Sequence, residues 1–398
     1  MKMSVPIALV SGTLGCWGGP CGRPRAGSSP APTLLQAAAL TLISAAALAA
    51  TQETVVVMPF TNLSGVERAP SEISAAFVKR ITTKGYAVVP SEYLEIFLTA
   101  TRVRYLDSLS RELREKALAQ LSASAIVFGT VYDFAEGDNA IVGVSARMLR
   151  ADGSVAWAGV AGMSSEDTEG AFGLHRTNAT AVLAEKAVER LVRDFPAPGA
   201  AAKLASARAK PLGASSPVTF RSAALEAGRE HRICLLPFEN RTQARLAGRV
   251  VSELLAQRLG ASGTFEVVEP ADFREALVGA GIRGLRSGDP AEMAKLSKAL
   301  GTGLYLRGTI YAFKDASTKN ASVAPELELD LALVDTASGR IVWTSRLART
   351  GRDYEGLFQL GSITNIVTLT DQAAAEMVRA AEKATPPAPK QVVRQGAS

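Results

Sequence analysis

Two halves of this chain repeat each other in order, and nothing else in the sequence limits its fold so tightly. Val55-Val56-Val57-Met58-Pro59-Phe60-Thr61-Asn62 returns as Ile233-Cys234-Leu235-Leu236-Pro237-Phe238-Glu239-Asn240, 178 residues later. Tyr86-Ala87-Val88-Val89 and Phe265-Glu266-Val267-Val268 match at an offset of 179, as do Phe128-Gly129-Thr130-Val131-Tyr132-Asp133-Phe134 and Arg307-Gly308-Thr309-Ile310-Tyr311-Ala312-Phe313. Gly153-Ser154-Val155-Ala156-Trp157 pairs with Gly339-Arg340-Ile341-Val342-Trp343 at 186, and Leu191-Val192-Arg193 with Met377-Val378-Arg379 at the same offset. Collinear matches with offsets that only grow mean a duplicated structural unit.

Hydrophobic periodicity gives the unit its elements. A buried strand at Val55–Phe60 closes at a proline, which cannot donate to a sheet ladder. Ile73, Phe77 and Ile81 recur at helical spacing, as do Val251, Leu255 and Leu259, so an amphipathic helix follows in each copy. A second strand ends at Val89. A further helix follows, with Leu94, Phe97 and Leu98 inward. A third helix starts near Ser110 in the first copy, and in the second at Asp289-Pro290-Ala291-Glu292, with a capping residue ahead of proline. The strands 125–134, 141–149 and 155–161 come next, the last two joined by a tight Asp152-Gly153 turn. The helix 171–195 closes the unit. The expected fold is therefore α/β: two tandem repeats of a mixed sheet, with a parallel start, an antiparallel meander at the end, and helices packed on it.

The expected domain boundaries follow. Residues 1–50 form a leader, 51–195 the first repeat, 196–232 an Ala/Pro/Gly/Ser-rich linker, 233–384 the second repeat and 385–398 a disordered tail. Leu34 to Ala50 is an uncharged apolar run behind Arg23 and Arg25, and Ala47-Leu48-Ala49 has the small-x-small form of a signal-peptidase site, with cleavage after Ala49. An uncleaved anchor and an N-terminal helix packed on the domain are the alternatives. A competing signal, Thr13-Leu14-Gly15-Cys16, has the form of a lipobox in which Cys16 would be lipidated.

The net charge of +6 does not mark a nucleic-acid binder. Leader, linker and tail together carry +9, which leaves −3 on the folded portions, whereas nucleic-acid binding gathers basic residues on a folded face. The two histidines, His175 and His231, and three scattered cysteines offer no spacing for a zinc site. Gly279-Ala280-Gly281-Ile282-Arg283-Gly284 spells a dinucleotide fingerprint, but it follows a helix where that fingerprint must follow a strand. Its first-copy counterpart, Ala100 to Tyr105, lacks all three glycines, so the segment reads as helix termination. No catalytic set, cofactor, metal or small-molecule substrate is expected. Asn62 and Asn240 stand at strand ends, where open α/β sheets bind ligands, but their recurrence favours turn-forming asparagines. Trp157 and Trp343 are read as sheet or edge aromatics and as candidate interaction residues.

With those residues in view, the unit resembles the superfamily that contains the curli-secretion lipoprotein CsgG, the N-terminal domain of TolB and the LpoB-type activators of peptidoglycan synthases. The resemblance rests on the V-x-x-x-P-F-x-N opening, the F-x-V-V-x second strand, the G-T-hydrophobic-Y strand and the V-x-W after a D-G or S-G turn. It implies a non-enzymatic periplasmic module that binds envelope protein partners, associates with the outer membrane, and serves peptidoglycan-synthase activation or polymer export. The alternative is a subunit of a curli-type secretion channel. Such a barrel needs hairpins of membrane-spanning strands, yet the second copy gains only seven residues, in the polar stretch Lys314 to Glu326.

Overall fold

The computed structural model describes residues 53–168, 177–200, 211, 215–223, 225, 230–283, 289–315, 323–355 and 361–383. Within them lie two mixed sheets of matching strand order. In the first, β1 (Thr54–Val57) runs parallel to β3 (Ala87–Val88) and to β4 (Ala125–Ala135), and β2 (Thr61–Asn62) adds to β4. β5 (Ile141–Arg150) and β6 (Val155–Ser164) complete an antiparallel meander. In the second sheet, β8 (His231–Leu235), β9 (Glu239–Asn240), β10 (Phe265–Val267), β11 (Leu304–Lys314), β12 (Glu326–Asp335) and β13 (Ile341–Thr350) repeat that order. The copies share their irregularities too. The pairing of β4 with β5 skips Tyr132 and that of β11 with β12 skips Tyr311, its equivalent. A bulge that adds local twist at the same place in both copies is a built feature of the unit.

One contact explains why two of the repeated motifs go together. The Phe60 ring lies against the Cα of Gly129, closer than a Cβ there would allow, and Phe238 sits over Gly308, where a Cβ would come within 3.0 Å of the ring. The Pro-Phe motif thus folds an aromatic back onto the Gly-Thr strand, leaving no room for a Cβ at Gly129 and only a tight space at Gly308.

The helices set the layers. α1 (Ala69–Thr83) and α4 (Thr180–Leu191) cover one face of the first sheet, burying Ile73, Phe77, Ile81, Leu183 and Val188 against Val131, Val144 and Trp157. On the other face, α2 (Ser91–Thr101) and α3 (Arg111–Gln120) cover the β1 side through Leu94, Phe97 and Leu118. The meander side of that face is covered by the second copy, through α5 (Ala247–Ala261) and α8 (Ile366–Lys383), which also cover their own sheet. α8 is buried at every position from 366 to 378 except Thr368, as a helix packed on both sides must be. Its approach is close. A Cβ on Gly143 would come within 2.8 Å of the Val367 side chain, and one on Gly162 would overlap Asn365. α6 (Pro270–Gly279) and α7 (Pro290–Leu300) lie on the far face of the second sheet, over β8 and β10. Through the meanders the two copies therefore stack as helices, sheet, helices, sheet, and α6 and α7 add a further layer over β8 and β10.

Two expectations need correction. The segment 196–232 is not only connector: Val218–Arg221 forms β7, which pairs antiparallel with β13 and extends the second sheet. Arg221 anchors it by donating to the carbonyls of Ala381 and Leu225, each at 3.0 Å. Trp157 and Trp343 are not interaction aromatics: they are 0% and 1% exposed. Trp157 packs edge-on against Phe195, with ring centroids 4.6 Å apart. Both indoles lie between sheet and helix, where no partner surface can reach them.

Candidate functional site

Cys16, Ala49 and His175 lie outside the described residues. Those that are described take structural places. Asn62 Oδ1 accepts from the backbone N–H and the hydroxyl of Ser64 at 3.1 and 2.8 Å, and its Nδ2 donates to Val66 O at 2.9 Å. Asn240 does the same with Thr242, at 3.0 and 2.8 Å, and with Ala244 O at 2.7 Å. Both amides are used up on their own loops, as turn-forming asparagines are. Gly279 ends α6, and Gly281 follows at a φ of 69°, so this part of the glycine run terminates a helix. His231 opens β8 beside Phe265.

The surface that gathers binding chemistry is where the copies meet. α2 ends at Arg102, which takes a left-handed conformation (φ 53°) and turns the chain back. The segment after it runs along α6 of the second copy and leaves an open groove of about 490 Å3. Val103, Leu109, Leu113, Ala271 and Val278 give it an apolar lining, and Tyr105 stands at its edge. Tyr105 is 60% and Val278 82% exposed, so both are available to a partner.

The groove is held by charge across the seam. The Arg274 guanidinium stacks over the Tyr105 ring at 4.4 Å and donates to Asp107 Oδ1 at 3.0 Å and Ser108 Oγ at 3.1 Å. Arg249 reaches the same carboxylate at 3.5 Å. Asp272 accepts from the N–H of Arg111, the first residue of α3, at 2.9 Å. Deeper in the seam, Thr130 donates to Glu253 at 2.5 Å and Gln257 to Ser145 Oγ at 3.1 Å. Burial pushes the Glu253 carboxyl above its ordinary range, against the opposing pull of Thr130 and Arg147. An aromatic stacked with arginine beside an apolar trough is the composition of protein-binding hot spots. Among the described residues no group of three or more His, Cys, Asp or Glu could hold a metal ion. No described helix is long and apolar enough to cross a membrane.

Sequence reasoning missed Tyr105, Asp107, Arg274 and Val278. A signal existed for Tyr105 alone: it lies in the 100–105 stretch, which lacks all three glycines of its counterpart at 279–284.

No curated protein matches the chain. Among solved structures it is similar to the PelC dodecamer from Paraburkholderia phytofirmans, at 14% identity over 43% of this chain and 98% of that one, with a TM-score of 0.29. It is also similar to lipoprotein GNA1162 from Neisseria meningitidis, at 17% identity over 35% and 99%, TM-score 0.28. The LpoB C-terminal domain from Salmonella enterica matches at 19% identity over 32% and 90%, TM-score 0.24. In sequence, residues 214–348, from just ahead of β7 into β13, match the model of a family described as peptidoglycan-synthase activator LpoB.

Proposed function

We propose that this chain is a non-enzymatic binding module of the bacterial cell envelope that docks on a peptidoglycan synthase and raises its activity. The observation that carries the reading is the match of residues 214–348 to the peptidoglycan-synthase activator family. That match takes in α6, one wall of the seam groove. In this reading the unit of that family occurs twice in tandem, and the first copy supplies the other wall. The leader 1–50 directs export to the periplasm, by cleavage after Ala49 or by lipid attachment at Cys16 and outer-membrane anchoring. The match gives no support to a curli-type secretion channel.

The experiment is to add the purified chain to a bifunctional peptidoglycan synthase and follow glycan polymerisation and binding together. Stimulation and saturable binding are expected. Tyr105→Ala and Val278→Asp are expected to weaken binding about tenfold or more, as loss of a hot-spot side chain does. Absence of both binding and stimulation overturns the reading. Stimulation that survives both substitutions removes the groove from it.

A further inference from the structure

β6 and β13 are equivalent strands whose outer edges are treated differently. β7 covers β13, pairing Arg221, Phe220, Thr219 and Val218 with Trp343, Thr344, Ser345 and Arg346. Ser222 N donates to Val342 O at 2.8 Å beyond them. Val342, Thr344 and Arg346 thus turn their backbone groups outward. At the offset of 186 their counterparts are Ala156, Ala158 and Val160. Gly162, next in that alternation, confirms the direction: its carbonyl accepts from Arg190 Nη1 at 3.0 Å, outside the sheet. Among the described residues no strand pairs with this edge.

The composition of β6 makes the edge unusual. Natural sheets protect long free edges with charged side chains, proline, or a covering element. β6 is ten residues long, Val-Ala-Trp-Ala-Gly-Val-Ala-Gly-Met-Ser, with no charge and no proline. The opposite edge of the same sheet, β3, has only two residues. β13 carries Arg346 and Arg349 and is covered all the same.

We propose that the β6 edge at residues 156–160 is a strand-addition site that receives an extended, antiparallel segment of a partner chain. β7 is the template for the occupant: about four residues, held by backbone hydrogen bonds. On the α4 side the occupant carries a small or hydroxyl residue, because a Cβ on Gly159 would already lie 3.0 Å from Leu191 O. Thr219 fills that position in β7, opposite Ser345. On the other side, near Ala261 at the end of α5, it carries apolar residues in the places of Val218 and Phe220. The site is separate from the seam groove and does not depend on the synthase reading.

The probe is a peptide of residues 215–222, Ser-Ser-Pro-Val-Thr-Phe-Arg-Ser, titrated to millimolar concentration against the full chain while amide hydrogen exchange is read at 156–160. Exchange of the Ala158 and Val160 amides is expected to slow by about fivefold or more. A peptide N-methylated at Val218 and Phe220, whose N–H groups face the edge, should give no protection. Ala158→Pro, which removes an outward donor and leaves the ladder to β5 intact, should abolish the effect; the methylated peptide serves the same end without altering the protein. Three results would overturn the proposal. The amides could be as slow without peptide as with it, the methylated peptide could protect equally, or protection could rise with protein concentration alone, as edge-to-edge pairing of two copies requires.

Discussion

Arg147 in the first copy holds Glu269 in the second through two hydrogen bonds, Nη1 to Oε1 at 2.6 Å and Nη2 to Oε2 at 2.8 Å. The side chains are 11% and 8% exposed, and Arg147 also lies over the Phe128 ring at 5.5 Å. Its equivalent in the second copy is Ala332, so the pair belongs to the seam and not to the repeated unit. Arg147→Ala or Glu269→Ala leaves an uncompensated buried charge and should cost about 3 kcal/mol or more. Arg147→Ala combined with Glu269→Ala removes both charges and should cost much less than the sum of the two. Urea titrations of the four proteins check this as a double-mutant cycle; strict additivity would show that the contact does not bind the copies together.

A pH dependence comes from the other end of the seam. Burial first, and then the charge of Asp315, pushes the Asp133 carboxyl up to about 8, while a hydrogen bond from Asn365 pulls the other way. Between about pH 4 and 8 the folded protein keeps a proton that the unfolded chain has released, so stability from this group falls as pH rises through that window and levels off above it. Asp133→Asn stays neutral throughout. Its stability relative to the parent should therefore grow across the window, by at most about 1.4 kcal/mol per pH unit. Unfolding midpoints at three pH values within the window measure it, and a constant difference would refute the assignment.

The glycines beneath the phenylalanines differ in how much room they leave. A Cβ on Gly129 would overlap the Phe60 ring, whereas one on Gly308 would reach 3.0 Å from Phe238 and from Leu331. Gly129→Ala should destabilise by about 2–3 kcal/mol and Gly308→Ala by about 1 kcal/mol, the range for overpacking a closed core. Thermal unfolding of the two variants tests the order; equal losses would mean that Phe60 swings clear.

The paired asparagines separate a turn from a site. Asn62→Ala and Asn240→Ala should each cost about 1 kcal/mol, the net worth of the side-chain hydrogen bonds removed. Asn→Asp at either position keeps the Oδ1 acceptor but sets a carboxylate oxygen, which only accepts, against Val66 O or Ala244 O, so its cost should not be smaller. Synthase stimulation by the folded variants should stay at the parental level. A loss of stimulation without loss of stability would put a ligand at the strand ends after all.

Local pattern carried much of this protein. The paired Val-x-x-x-Pro-Phe-x-Asn segments, the alternation along the meander and the helical spacing of Ile73, Phe77 and Ile81 determine the order of elements along the chain and the duplication, because each depends on residues close in sequence. Asp289 caps α7 as the Asp-Pro-Ala-Glu run implies, accepting from Ala291 N at 2.9 Å. What local pattern does not contain is which face of a sheet meets another element. Trp157 and Trp343 alternate as edge aromatics would, yet each faces its own copy's helices, Trp157 under α1 and α4 and Trp343 under α5 and α8. β7 was hidden in a connector for the same reason: a four-residue strand is stable only where β13 offers a ladder and α8 offers carbonyls to Arg221. The sequence by itself determined the unit and its repetition. Only the tertiary structure decided that one copy's helices fill the other's sheet and that, among the described residues, the β6 edge has no paired strand, because burial and pairing are settled by long-range packing and not by the order of residues along a strand.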